Sequence, residues 1–274
     1  MRCCMKLLTQ GDDFGFTRGV TLGIVDSIDR GVLRNTGLFA NMPSAPFAVS
    51  FMKDRPFACF GIDFNIVAGP SCADPAKIPH LIDENGTFIK SGVRIRNELF
   101  KTPEGRAEMF PLEEVYTELR AQYDRFVELT GRKPGYLHPH SIHPETYIQS
   151  IRRIAEDEHI PYSHDIREAL GFREIRDCPA AVQKTTKASG KKVFDPAEQI
   201  SKNTTELIMQ CADWLAEGEY AAIGGHPGYV DGELMKWTTL SLERMRDAEA
   251  MMSEEVKNWI NENDIELITY YDLV

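Results

Sequence analysis

No run of about 18 apolar residues occurs in this 274-residue chain, so nothing in it reads as a membrane-spanning helix. Positive charge is also scarce. With 31 Lys and Arg against 42 Asp and Glu, the formal net charge is -11. Nucleic acids and anionic membrane surfaces reward the opposite balance and are not expected as partners. Paired cysteine spacing is missing too. The six cysteines (Cys3, Cys4, Cys59, Cys72, Cys178, Cys211) are scattered, with no Cys-x-x-Cys. Most sit in apolar contexts such as "FACFGI", where a reduced Cys packs as a small hydrophobe. None lies in a turn beside a base, so Cys–His nucleophilic catalysis has no support. The start "MRCCMKLLTQGDD" has neither a long apolar stretch nor a small-residue cleavage site, so it does not read as a signal peptide. A reducing cytoplasm is the expected setting. Repeats, low-complexity tracts and linkers are absent as well.

The rest is an ordinary globular composition, 42% hydrophobic and 27% charged. The length suits one domain over residues 1–274. Short apolar runs ("MKLLTQGD", "TGLFANM", "FACFGIDFNIV", "GYLHPH", "IPYSHD", "EYAAIGGHPG", "IELITYYDL") alternate with segments of helical spacing. The first helix is expected to stop at Gly31 and the second to open at Pro43. "PLEEVYTELRAQYDRFVELTG" is the clearest helix, with Gly131 just beyond its end. Periodicity weakens over residues 68–111 and again over 164–196, which read as loop insertions. Repeated strand–helix alternation points to parallel strands joined by crossovers. The expected fold is α/β, a TIM-like (β/α) barrel that is closed or nearly so.

Against that fold, Asp12/Asp13, Asp63/Asn65, His138/His140 and His226 all fall at C-terminal strand ends, where such barrels build their sites. A single Asp before "FTRGV" would serve as a helix cap; two adjacent carboxylates ask for something more. One could bind a metal while its neighbour acts as general base. "LHPHSIH" packs three histidines into six residues, and His138 and His140 share a strand face. A His/Asp ligand set suits Zn²⁺ and related divalents, with Mg²⁺ less natural once imidazole is present. His226 stands between Gly-Gly and Pro-Gly, a context open enough for a general acid. Asp231 could orient it or bind substrate, but an exposed loop Asp is the reading to prefer. Arg94 and Arg96 in "SGVRIRNELF" read either as an anion clamp or as a solvated strand face.

The blocks "GDDFGFTRGVTLGIVDSIDRGVLRNTGLFANMPSA", "GIDFNIVAG", "KPGYLHPHSIHP", "GGHPGYVDGELMKWTTLSLERMRDAEAM" and "IELITYYDL" resemble the YdjC-like carbohydrate deacetylases, a family that includes chitooligosaccharide deacetylases. The resemblance implies a (β/α) barrel, a divalent metal (Zn, Mg, Mn or Co) and hydrolysis of N-acetyl groups from amino sugars. It implies Asp13 and His140 as metal ligands, Asp12 as base and His226 as acid. Two positions depart from the pattern. Asp63 stands where a metal-binding His is implied, and His138 where an Asp is implied. An Asp13/Asp63/His140 set, with His138, His143, Asn65, Asp231 and Arg94 as further metal or substrate contacts, is the resulting expectation. The substrate is expected to be a chitobiose-like oligosaccharide, with or without phosphate, and the family suggests a homodimer. Two other readings stay open: a hydrolase of another modified or phosphorylated disaccharide, and a catalytically silent sugar-binding or regulatory protein. Phe88, Phe100 and Trp237 are candidates to stack on a sugar ring, with core packing as the competing role.

Overall fold

The structure, a computed structural model, describes residues 5–181 and 195–274. Cys3, Cys4 and residues 182–194 of the second expected insertion lie outside the described residues. Among the described residues seven strands, β1 (Lys6–Phe14), β2 (Asn35–Leu38), β3 (Cys59–Phe64), β4 (Leu137–Pro139), β5 (Arg173–Glu174), β6 (Tyr220–Gly225) and β7 (Glu266–Ile268), pair in parallel. Their order is β4-β3-β2-β1-β6-β5, with β7 also on β1. The helices are α1 (Arg18–Asp29), α2 (Ala45–Val49), α3 (Ser91–Arg96), α4 (Pro103–Met109), α5 (Leu112–Thr130), α6 (Glu145–Glu158), α7 (Ser163–Ala169), α8 (Pro196–Ser201), α9 (Thr204–Ala216), α10 (Leu234–Trp237), α11 (Glu243–Met252) and α12 (Glu254–Glu262). Tyr162 bridges to Leu137 at the outer edge of β4, but it and β5 do not pair among the described residues. The expected barrel is therefore a curled, incompletely closed one.

β1 sits at the centre because its residues are buried on both faces, as a parallel strand requires. One of its edges is shared. β7 pairs with Lys6–Leu8 and β2 takes over from Gln10 onward. Asn35 joins the two, donating from Nδ2 to Thr9 O (3.0 Å) and Ile268 O (3.1 Å) and accepting from Tyr270 N–H (3.0 Å). α1 is capped by Thr17, whose hydroxyl accepts from Val20 N–H, and α5 ends at Gly131 with φ 69°.

Several sequence expectations are corrected. α1 ends at Asp29 with Arg30 as its C-cap, so Gly31 lies one residue past the cap; it is needed there because a Cβ would lie 2.2 Å from Met251 O. α2 opens at Ala45, with Pro46 in its first turn. "IPYSHD" holds one bridging residue before turning into α7, and "SGVRIR" is a helix rather than a strand. In that helix Arg94 is drawn inward, over the Phe110 ring at 4.7 Å, while Val93 and Ile95 face out.

Candidate active site

β1 carries a bulge where its two aspartates stand. Gly11 pairs with Thr36 and Phe14 with Leu38, so three steps on β1 oppose two on β2. Asp13 takes φ 74°, a left-handed conformation that Asp tolerates better than most residues. The extra residue breaks the alternation of a regular strand, and the carboxylates reach side chains on β4 and just beyond its end. Asp12 Oδ2 lies 3.7 Å from His138 Nε2, and Asp13 Oδ1 lies 3.0 Å from His140 Nδ1.

Asp63 on β3 is the cross-strand partner of His138 on β4. The two departures from the resembled pattern are thus neighbours: the imidazole missing at 63 reappears directly across the strand pair. Asp63 Oδ2 accepts from Asp13 N–H at 2.8 Å. Its carboxylate has room only because residue 37 is Gly, since a Cβ there would lie 1.8 Å from Asp63 Oδ1. His138 Nδ1 meets Ser163 Oγ at 2.7 Å, which leaves Nε2 turned to the carboxylates.

Electrostatics separates these groups. Burial, then Arg167 and neighbouring histidines, keep the His138 pKa well below the imidazole range, so the ring is neutral and able to bind a metal. Burial, then the charges of Asp12 and Asp13, push Asp63 well above the carboxylate range. Burial also raises Asp12, against the pull of His226 and the hydrogen bond from Gln10. For Asp13 burial works upward, but His140 and Arg244 overcome it and hold the carboxyl below its usual range.

Asp12, Asp63 and His138 each offer a donor atom within 4.8 Å of the others. Asp63 Oδ1 is buried without a hydrogen-bond partner among the described residues. Two carboxylates and an imidazole around a bare buried oxygen fit a divalent cation. Beside them Asp13 Oδ1, also buried without a hydrogen-bond partner among the described residues, lies 3.0 Å from His140 Nδ1, and Arg244 Nη2 donates to Asp13 Oδ2 at 2.6 Å. His226, half-buried beyond β6, is near enough for its charge to bear on both Asp12 and Asp13. Its N–H donates to Asp247 Oδ2 at 2.9 Å.

Other expected residues are engaged elsewhere. Asn65 spends its amide on the loop after β3, accepting from Val67 and Ala68 N–H and donating to Ala68 O and Asn41 Oδ1. Asp231 accepts from Gly19 and Leu234 N–H, tying the loop after β6 to α1. Arg94 is 5% exposed and donates to His80 O and Met109 O. That burial corrects the reading of Arg94 as an anion clamp; it anchors the first insertion. His143 is exposed, its ring 5.6 Å from that of His164, which lies 5.3 Å from His138. Phe88 is core, and Phe100 and Trp237 pack against the core.

Sequence reading missed Arg244 and Asp247 on α11, Ser163 on α7, and a relay beneath Asp12. In that relay Tyr270 Oη donates to Gln10 Oε1 at 2.6 Å, and Gln10 Nε2 donates to Asp12 Oδ1 at 2.7 Å. No local pattern marks them; Arg244 and Asp13 lie 231 residues apart.

A family model described as YdjC-like protein matches residues 6–262. "Carbohydrate deacetylase 2" of Listeria innocua serovar 6a is 32% identical over 98% of this chain and 99% of its own length. "Carbohydrate deacetylase" of Clostridium beijerinckii is 25% identical over 98% of this chain and its entire length. A crystal structure from Enterococcus faecalis V583, whose name proposes cellobiose-phosphate cleavage, superposes with a TM-score of 0.74. It is 24% identical over 99% of both chains and shows the shared fold.

Proposed function

The chain belongs to the YdjC-like protein family, and from that premise we propose that it hydrolyses N-acetyl groups from small amino-sugar oligosaccharides. Full-length similarity to relatives named carbohydrate deacetylase supports the reaction. The observation that carries it is the group Asp12, Asp63 and His138 around the bare Asp63 Oδ1 at the strand ends. These residues would hold a divalent ion, which when bound polarises an acyl carbonyl and acidifies water. Asp12, given the base role by resemblance, is assigned here to that donor group.

The other residues act on the substrate. His226, held by Asp247 and standing between Gly-Gly and Pro-Gly, donates a proton to the departing sugar amine. Gln10 and Tyr270 keep Asp12 in one orientation through their two hydrogen bonds. No helix among the described residues is long and apolar enough to cross a membrane. The cytoplasmic setting and the homodimer belong to this proposal, the first from reduced-cysteine composition and the second from the family resemblance.

The test is acetate release from N-acetylglucosamine oligomers and their phosphorylated forms, using stripped protein reloaded with Zn²⁺, Co²⁺, Mn²⁺ or Mg²⁺. Release that needs an ion and disappears in His226→Ala is expected. No release with any ion, from folded protein, overturns the deacetylase reading.

A further inference from the structure

α11 sends Arg244 and Asp247, one turn apart on one face, toward the ends of two different strands. Both are 1% exposed. Arg244 Nη2 donates to Asp13 Oδ2 at 2.6 Å, and its Nε donates to Leu240 O at 3.0 Å. The guanidinium also lies 5.6 Å from the Phe16 ring centroid. Arg244 thus occupies one oxygen of Asp13 and leaves Oδ1 bare, as Asp63 Oδ1 is, among the described residues. A charge-assisted bond of this kind fixes the carboxylate, so the free oxygen keeps one direction. Asp13 Oδ1, 3.0 Å from His140 Nδ1, is then presented to an ion as a single oxygen.

Asp247 does the same for the loop after β6. Its Oδ2 accepts from His226 N–H at 2.9 Å, while Oδ1 accepts from Thr204 Oγ1 at 2.8 Å and Lys202 Nζ at 3.1 Å. Two residues on, Gly228 N–H donates to the backbone O of Arg244 at 3.1 Å. The chain is therefore bonded to α11 on both sides of Pro227. Among the described residues the His226 imidazole makes no hydrogen bond, so its place is set through its backbone. Gly225 keeps the approach close, since a Cβ there would lie 3.2 Å from Asp247 Oδ2. α11 is itself gripped by α8. Gln199 Oε1 accepts from Ser241 N–H at 2.7 Å, and Arg246 Nε donates to Ile200 O at 2.9 Å.

We infer that Arg244 and Asp247 are positioning residues, which hold the ligand Asp13 and the acid His226 on one helix. The place of the acid relative to the ion is thereby fixed before substrate arrives. Arg244 acts through the Asp13 carboxylate, and Asp247 acts through the His226 backbone. A misplacement of about 1 Å in a catalytic group costs about a hundredfold in rate, which is what the two buried contacts prevent. The acid role of His226 rests on the deacetylase reading. The hold on Asp13 and on the His226 loop does not, and it is measurable without substrate.

The experiment compares folded variants, first without substrate. Arg244→Gln should weaken Co²⁺ binding by about tenfold and change the visible absorption of the bound ion, because Asp13 Oδ1 loses its fixed direction. Arg244→Lys, which keeps the buried cation and so protects folding, should show the same change to a smaller degree. Asp247→Ala should leave Co²⁺ affinity and absorption as they are. In NMR spectra of ¹⁵N-histidine-labelled, Zn²⁺-loaded protein, the His226 ring signal is assigned by its absence in His226→Gln. It should shift or broaden in Asp247→Ala and return in Asp247→Asn, whose amide oxygen still accepts from His226 N–H. In turnover, Asp247→Ala should lower kcat by about a hundredfold with KM nearly unchanged, and Asp247→Asn should regain most of it. Unaltered Co²⁺ affinity and absorption in both Arg244 variants overturn the hold on Asp13, as does absence of Co²⁺ binding by the unaltered protein. An unmoved His226 signal, or an unchanged kcat, in Asp247→Ala overturns the hold on the acid. No acetate release by the unaltered protein sinks the deacetylase reading, while the two substrate-free measurements still decide the positioning roles.

Discussion

Two groups of buried polar side chains lie beside β3, and they are finished differently. Behind the strand, Glu118 accepts from Cys72 N–H (3.0 Å), Ala73 N–H (2.9 Å) and Gln122 Nε2 (2.7 Å). Gln122 in turn accepts from Asn65 N–H at 3.0 Å and donates to Asn65 O at 2.6 Å. The side-chain oxygens and nitrogens of Glu118, Gln122 and Asn65 all have partners. At the strand end, Asp13 Oδ1, Asp63 Oδ1 and Arg244 Nη1 are equally buried and lack hydrogen-bond partners among the described residues. Leaving such groups unmade costs about 1–3 kcal/mol each. A complete network braces a loop, whereas a network left incomplete at that cost is reserved for something that arrives.

The sharpest way to break the contrast is at the buried ion pair. Arg244→Met strands the Asp13 charge and should cost about 3–5 kcal/mol, read by urea unfolding, whereas adding Asp13→Asn should recover most of it. Equal losses in the single and double variants would show that Arg244 matters for its packing and not for its charge.

Asp63→Asn tests the incomplete side directly. Turnover should fall by at least about a hundredfold. Its Tm should hold or rise, because the amide removes a buried ionisable carboxyl that stands beside Asp12 and Asp13. A large drop in Tm would place Asp63 with the bracing residues.

The complete network predicts the reverse. Glu118→Ala should cost about 1–3 kcal/mol of stability and leave kcat of the folded protein close to normal. Burial pushes the Glu118 carboxyl from 4.5 up to about 7, so between those values the folded state binds more protons than the unfolded. Stability from this group is therefore lost as pH rises from about 4.5 to 7. Glu118→Gln should flatten that slope in unfolding measured across the window; an unaltered slope would assign it to other groups.

How far the site was legible follows from the range of each signal. Strand ends were readable because apolar runs stop abruptly at Asp12, Asp63, His138 and His226, and parallel strands aim those ends at one face. Asn65 and Arg94 misled, because polarity at a strand end or on a short insertion does not reveal whether neighbouring backbone will consume it. α7 was hidden behind "IPYSHD", where one bridging residue precedes a helix whose Ser163 orients His138.

By itself the sequence determined a parallel α/β fold, the face on which chemistry gathers, and the residue types available there. Tertiary structure alone decided the pairing. It inserted the bulge that brings both aspartates to β4, set Asp63 across from His138, and brought Arg244 over 231 residues to Asp13. Register and desolvation are set by what packs alongside, so no residue carries them in its own neighbourhood along the chain.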